Sequence, residues 1–353
     1  MKPLGPIPNG FNVKGGILAI GTKDVRALVA EAGGTPLFVY SRDLIAARVA
    51  QLRVVLPQQV RLHYAMKANP FGPALEVMSE LVDGFDVASG GELQKLLEVG
   101  VDPRRVSFAG PGKRDAELAA ALAAGVTINL ESEGEAERAL KLAAAAGVVP
   151  RLAIRVNPDF EVKGSGMKMG GGAKPFGIDA ERVPTLAKRL VAAGVDWRGF
   201  HIFAGSQAIS ADAIIEAQAQ TLALAARLAR EAGVALPHLN LGGGFGIPYF
   251  PGDTELDIAR VGAALAERLA DWPVELAGTE FCIELGRYLV GEAGVYLTTV
   301  IDRKVSHGEV FLVVDGGMHH QLAASGNFGT VVRRNYPVAI ATRFTAPVEE
   351  EAS

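Results

Sequence analysis

The sequence predicts an α/β protein: a closed (β/α)8 TIM barrel accompanied by a small β-rich domain formed from both chain ends. Two observations carry this. From about residue 60 onward, short apolar runs rich in β-branched and aromatic residues alternate with Ala- and Leu-rich stretches of helical period. The runs and their connecting helical stretches are sufficient for eight parallel strands, and no GxGxxG opens the first strand-to-helix turn to argue for an open dinucleotide-binding sheet.

In chain order, the strands are expected at Arg61–Ala65, Gly84–Ala88, Val106–Ala109, Val126–Leu130, Arg151–Val156, Gly199–Phe203, His238–Leu241 and Phe281–Glu284. Helices are expected near 71–81, 90–99, 114–124, 133–146, 180–193, 210–232 and 255–270, with one more near 42–56 ahead of the first strand. After Gly286 the texture turns strand-like, as in Val295–Ile301 and Val310–Val314, with Ser306, His307 and Gly308 as turn residues and no helical period. Residues 11–20 also read as a strand. The division expected is residues 1–34 as a segment of the β domain, 35–285 as the barrel and 286–353 as the β-rich carboxyl-terminal domain. The Gly-rich segment Gly164–Gly172 reads as a mobile loop, and the acidic tail Glu349–Glu351 as frayed.

A chain of 353 residues with 49% hydrophobic and 21% charged residues can bury a sizeable core, so disorder is not expected. The net charge of −4, with basic residues scattered, lacks the footprint of a nucleic-acid binder. Cys282 is the sole cysteine, which excludes an intramolecular disulfide and a multi-cysteine metal site; no metal is expected, and a reducing cytoplasm fits. The start, 1–16, lacks the apolar stretch of a signal peptide, and no window offers a membrane span.

In such a barrel the site forms at the carboxyl ends of the strands, and those positions here are polar. Lys67 follows the first strand in Tyr-Ala-Met-Lys-Ala-Asn-Pro. Flanked by Met66 and Ala68, it reads either as a partly desolvated amine suited to form an imine with an aldehyde, or as a surface lysine whose stem covers apolar neighbours. Asp86, Arg155 and His201 lie on the second, fifth and sixth strands. Leu-Gly-Gly-Gly-Phe-Gly at 241–246 reads equally as a phosphate-binding turn, through Gly243, Gly244 and Gly246, or as a tight strand-to-helix turn. Ser206 is either a further donor or a helix cap. Glu284 and Arg287 in Glu-Leu-Gly-Arg read as a carboxylate for a pyridine nitrogen and a fork for phosphate oxygens, or as an ion pair tying the eighth strand to the next domain.

Together these stretches resemble the fold-type III pyridoxal-phosphate decarboxylases, the group of diaminopimelate, ornithine and arginine decarboxylases that share a barrel with alanine racemase. The resemblance spans roughly residues 35 to 330 and rests on Tyr-Ala-Met-Lys-Ala-Asn, Phe-Asp-Val-Ala-Ser-Gly-Gly-Glu, Arg-Val-Asn-Pro, Gly-Ser-Gln, Gly-Gly-Gly-Phe-Gly and Glu-Leu-Gly-Arg, in that order. Closer wording at 164–172, 201–207 and 315–320 is similar to the subgroup associated with exosortase and exopolysaccharide loci. The resemblance implies pyridoxal 5′-phosphate as cofactor, Lys67 as its imine lysine, Glu284 as the pyridinium partner, and Ser206, Gly244 and Arg287 in the phosphate cradle. It implies that Asp86 and Arg155 line the cofactor, with Arg155 near the phenolic oxygen. The expected reaction is decarboxylation of an amino acid or amino-acid-like substrate by a homodimer.

The chain departs from the family in three places. Where relatives carry His-x-His-x-Gly-Ser, it has His201 and then Phe203, so an aromatic face takes the stacking position and His201 is expected beneath the site. Relatives close the site with a cysteine motif and a tyrosine from the carboxyl-terminal domain, whereas this sequence reaches Ser353 first; either the sequence is a shortened one, or the small domain is incomplete, in which case decarboxylation is expected to be slow or lost. The Gly164–Gly172 segment is longer than its counterpart and reads as a lid. Asp315, in Asp-Gly-Gly, reads as a partner for a distal substrate amine or as a turn residue. The rival readings are an amino-acid racemase of the same fold and a cofactor-binding protein without turnover.

Overall fold

The computed structural model describes residues 7–161, 167–168, 170–250, 252–322 and 337–346. Its central feature is a ring of parallel strands: β1 (Val60–Ala65), β2 (Gly84–Val87), β3 (Val106–Phe108), β4 (Thr127–Leu130), β5 (Arg151–Asn157), β6 (Asp196–Ile202), β7 (His238–Gly243) and β8 (Glu280–Leu285). They pair in chain order, β8 also pairs with β1, and the β4–β5 pairing leaves no open edge. Parallel pairs need crossovers. These are α1 (Gly72–Leu81), α2 (Gly90–Glu98), α3 (Asp115–Ala124), α4 (Glu133–Ala146), α5 (Val183–Ala192), α6 (Ala211–Ala232) and α7 (Ile258–Ala270). The expected barrel is therefore present, each strand and helix within a few residues of its predicted bounds.

The period of two along each strand divides the barrel into two chemistries. Leu62 and Tyr64, Phe85 and Val87, Leu152 and Ile154, Phe200 and Ile202, and Phe281 and Ile283 are buried, and they form the apolar layer beneath the helices. The alternate positions, His63, Asp86, Ser107, Asn129, Arg155, His201, Asn240 and Glu284, are buried polar groups that line the lumen. Buried polar groups must be paired. Neighbouring strands supply the partners, as in Asn129 Nδ2 to Ser107 Oγ at 2.5 Å and His63 Nδ1 to Asp86 Oδ2 at 3.2 Å.

Helix ends follow local chemistry. Ser89, Ser132 and Asp257 accept first-turn amides at the starts of α2, α4 and α7, and Gly125, Gly147 and Gly233 close α3, α4 and α6 in the left-handed conformation.

The chain divides into two compact units, Ala46–Ile247 with Leu256–Gly291, and Met1–Ile45 with Pro248–Glu255 and Glu292–Ser353. The first holds the barrel. The second is β-rich, with Leu18, Val25 and Leu297 at its centre and Phe11, Val39 and Phe344 packed around them. Two expectations there need correction. Residues 11–20 form a hairpin, Asn12–Lys14 against Ile17–Ile20, because Gly15 and Gly16 adopt positive φ between them. Val295–Ile301 belongs to two strands, Gly294–Leu297 paired with Leu37–Tyr40, and Val300–Ser306 paired with Glu309–Val314 through a His307-Gly308 turn. A short helix, Arg287–Val290, follows Gly286 where no helical period was expected. Glu349–Glu351, and residues 164–166 and 169 of the glycine-rich segment, lie outside the described residues.

Candidate active site

The turn that carries Lys67 is built by its neighbours. Tyr64 is fully buried, its hydroxyl donates to the Asn69 carbonyl at 3.1 Å, and Asn69 N closes a 3-10 turn onto the Met66 carbonyl at 3.1 Å. Met66 turns into the core, while Lys67 is exposed at the carboxyl end of β1. Its apolar flank therefore does not desolvate it: Met66 spends its side chain on the core.

Glu284, one residue before the end of β8, stands opposite His63 of β1 and Gly243 of β7. His201 Nε2 lies 2.8 Å from Glu284 Oε2, and Asn240 Nδ2 donates to the same oxygen at 3.3 Å. Asn240 is itself oriented by Gly242 N at 2.8 Å. Among the described residues Oε1 accepts no hydrogen bond. Burial works to raise the Glu284 pKa, but the hydrogen bond and charge of His201, together with Lys67 and Arg155, outweigh it and hold the carboxyl down at about 2.

Arg155 is buried on β5, donates from Nη1 to Glu131 Oε1 at 2.9 Å, and lies with Cζ 4.9 Å from the Phe176 ring. Glu131 also accepts the amides of Gly110 and Gly177. Burial favours its neutral form, and Arg155, Lys113 and the two amides reverse that, keeping it below the usual carboxyl range. Asp86 gives Oδ2 to His63, while Oδ1 is buried without a partner, as is His201 Nδ1.

Three loops meet at the ends of β6, β7 and β8. Gly244 has φ +70° and Gly242 φ +70°, and a Cβ on Gly244 would lie 2.0 Å from the Gly205 carbonyl oxygen. A Cβ on Gly243 would lie 1.9 Å from the Glu284 carbonyl oxygen, and one on Gly246 would lie 2.8 Å from Ile209 Cγ2. The glycines are required by this main-chain approach. Ala208 N donates to the Gly244 carbonyl at 2.9 Å and Gly246 N to the Ala208 carbonyl at 2.8 Å, bonds that leave the Gly244 amide out. Ser206 is half-buried and pairs in the Gly205–Ser206 strand with Met167–Lys168. It does not cap α6; Ser210 does, because it stands next to the first helical residue. Arg287 is exposed and donates to Gln207 Oε1 at 3.1 Å, not to Glu284.

The structure thus brings Asp86, Arg155, His201, Ser206, Gly243, Gly244, Gly246, Glu284 and Arg287 to strand interiors or carboxyl ends of one barrel, with Lys67 close enough to act electrostatically on Glu284. Phe203 is half-buried beside Gly242. Asp315 belongs to the other unit, where Oδ2 accepts from Thr35 Oγ1 and Oδ1 from Thr299 N. Sequence reasoning missed Glu131, Asn240 and Gln207. Only Gln207 leaves a local trace, its place after Gly-Ser and a φ of +59° that few non-glycine residues adopt.

Such a rim, with an amine, a buried ionised carboxylate and a glycine turn at separate strand ends, is that of a barrel enzyme working through a bound phosphorylated cofactor. Residues 42–291 match the family model described as pyridoxal-dependent decarboxylase, pyridoxal binding domain, and the chain belongs to that family. The cofactor of the family is pyridoxal phosphate, and its members are amino-acid decarboxylases. The chain is 35% identical over 307 residues to the L-glutamyl-[BtrI acyl-carrier protein] decarboxylase of Niallia circulans, covering 86% of this chain and 72% of that one. It is 36% identical over 303 residues to the diaminopimelate decarboxylase of Neisseria meningitidis, covering 82% and 71%. Diaminopimelate decarboxylase from M. jannaschii, solved with L-lysine, superposes with a TM-score of 0.77 at 26% identity, covering 88% of this chain and 74% of that one. Among the described residues no helix is long and apolar enough to cross a membrane.

The residues present fit the cofactor. Two orphaned buried polar atoms, Asp86 Oδ1 and His201 Nδ1, and a carboxylate oxygen of Glu284 that accepts nothing among the described residues, are groups a polar ring can satisfy.

Proposed function

We propose that this chain removes the carboxylate of an amino acid or aminoacyl group, with Lys67 holding the cofactor aldehyde and Glu284 the ring nitrogen. Bound pyridoxal phosphate supplies an electron-poor ring that accepts the electron pair left when the Cα–carboxylate bond breaks. The observation that carries the reading is Glu284: ionised, buried, and with both protein hydrogen bonds on Oε2. A carboxylate so held keeps a proton on the nitrogen it faces, which favours loss of carbon dioxide over racemization. Ser206, the Gly243–Gly244 backbone and Arg287 hold the phosphate; Phe203 offers a stacking face; Asp86 and Arg155 face the ring's polar edge. When substrate is bound, the Lys67 amine would return a proton to Cα.

Two relatives differ in substrate, one named for a carrier-bound glutamyl group and one for diaminopimelate. Both classes belong in the panel. Asp315, as a turn residue bonded within its own unit, is proposed as structural. A cytoplasmic homodimer, kinship with the exosortase-associated subgroup, and the division at residues 35 and 285 complete the proposal.

The test is carbon dioxide release against loss of optical rotation over free amino acids, diaminopimelate and carrier-linked aminoacyl groups. Carbon dioxide release, in step with loss of the Cα stereocentre, is expected for one substrate and none from Lys67→Ala. Rotation lost without carbon dioxide, or a Lys67→Ala protein trapped by borohydride like the parent, overturns it.

A further inference from the structure

We propose that the amino-terminal end of the barrel, opposite the candidate active site, is a binding site for a small dianionic oxyanion of the phosphate class. A cavity of about 80 Å³ opens there, lined by the starts of the strands. Arg61 of β1, Arg151 of β5, Arg198 of β6 and His238 of β7 contribute, with Arg104 and Arg105 just ahead of β3. The volume suits a few waters or a tetrahedral ion, not a nucleotide.

Charge is what sets this cavity apart. Five guanidiniums line it, against Asp83 and Glu280. Asp83 is occupied by Arg53 at 2.7 Å, and Glu280 by Arg61 at 2.9 Å. Asp196 must serve two cations, 3.3 Å from Arg151 Nε and 3.8 Å from Arg198 Nη1. Arg105 spends its donors on the carbonyls of Ser79, Val82 and Asp83. Arg104 makes no side-chain ion pair among the described residues. The guanidiniums of Arg104, Arg151 and Arg198 are thus near one another with one shared carboxylate.

Their effect is visible on their neighbours. Desolvation first, then Arg198 and Arg104, pull Arg151 below its usual pKa. Burial, then His63, Arg198 and Arg61, push His238 down to about 3, so its ring is neutral and keeps one N–H to donate. The same field decides what the cavity does not hold. His63, His238 and Cys282 bring possible ligand atoms within 4.8 Å of one another, a spacing a soft divalent cation uses. The surplus positive charge at their entrance disfavours such a cation and favours an anion. Arginine forks match the oxygens of a phosphate.

This end of a barrel serves stability. An anion here ties β5, β6 and the segment before β3 together and stabilises the fold in proportion to its concentration over its Kd. The proposal is independent of the reaction assigned to the other end.

The experiment uses holoenzyme reduced with borohydride, so that the cofactor's own phosphate stays in place. Orthophosphate, sulfate, glycerol 3-phosphate and chloride are titrated calorimetrically at constant ionic strength, with Tm measured in parallel. Expected are one saturable dianion per chain and a Tm that climbs with it beyond the chloride curve. Glycerol 3-phosphate binding as well as orthophosphate identifies a phosphomonoester site; its exclusion identifies the free ion. Arg104→Gln, at an exposed and unpaired side chain, should weaken binding about tenfold, and Arg104→Gln with Arg198→Gln about a hundredfold, as expected for charge-assisted bonds. Carbon dioxide release by the unreduced variants should be unchanged. No saturable binding by the parent, or parental affinity in Arg104→Gln, overturns the site.

Discussion

His201 Nε2 and Glu284 Oε2 lie 2.8 Å apart in the lumen of the barrel, on β6 and β8, with β7 between them supplying Asn240 to the same oxygen. The histidine thus acts on the carboxylate rather than standing free above the rim.

Replacing Glu284 by Gln keeps the shape and removes the charge. If Glu284 is the partner of the ring nitrogen, as proposed, that nitrogen would lose its proton and kcat/KM should fall by about 10²- to 10³-fold, the usual loss when a preorganised electrostatic partner is removed. His201→Ala leaves the carboxylate and removes one of its two supports, so it should cost less. Steady-state carbon dioxide release measures both, and a His201→Ala loss larger than that of Glu284→Gln would refute the order.

The Glu284 carboxyl is held at about 2, because His201, Lys67 and Arg155 outweigh the burial that would raise it. The folded pKa lies below that of an unfolded glutamate, about 4.3. The stability contributed by this ionisation is therefore complete above the unfolded value and is lost as pH falls from there through the folded one. The kcat/KM profile should show no step from Glu284 at neutral pH, and acid unfolding of Glu284→Gln should depend less steeply on pH below about 4. An acid limb near pH 6 that vanishes in Glu284→Gln would contradict this.

Glu131 is the hub that neither composition nor motif announced. It joins Arg155, Gly110 and Gly177, each from a different segment. Glu131→Gln leaves the buried Arg155 without its counter-charge, and should destabilise the protein by about 3 kcal/mol in chemical denaturation, the lower end for breaking a buried pair. Arg155→Met together with Glu131→Gln should recover part of that loss.

The contrast explains what was legible. The apolar face of every barrel strand repeats within a few residues, so Leu62 and Tyr64, or Phe281 and Ile283, announce their strands in the chain itself. Lys67, Glu284 and Gly244 were legible because each sits in a local motif at a strand end. Glu131 meets Arg155 24 residues later through strand closure, and Asn240 meets Glu284 across β7 and β8, contacts set by register rather than by any short word. The hairpin at 12–20 was missed because 11–20 was read as one strand, although the Gly15-Gly16 pair is itself a turn signal; their positive φ shows the chain reversing there.

Two glycines of similar conformation separate backbone strain from close approach. Gly233, at φ +64°, closes α6 with open space around its missing Cβ, while Gly244, at φ +70°, would place that atom 2.0 Å from the Gly205 carbonyl oxygen. Alanine at either position pays the left-handed penalty, about 1 kcal/mol. At 233 nothing else changes, so Tm should drop slightly with cofactor affinity intact. At 244 the loops after β6 and β7 must separate, carrying Ser206 and the Gly244 amide with them. Cofactor affinity, read from the visible absorption on titration with pyridoxal phosphate, should weaken by at least about tenfold, the equivalent of one lost charge-assisted hydrogen bond. Equal affinities in the two variants would mean that the glycine turn is only a strand-to-helix connection and that the phosphate is held elsewhere.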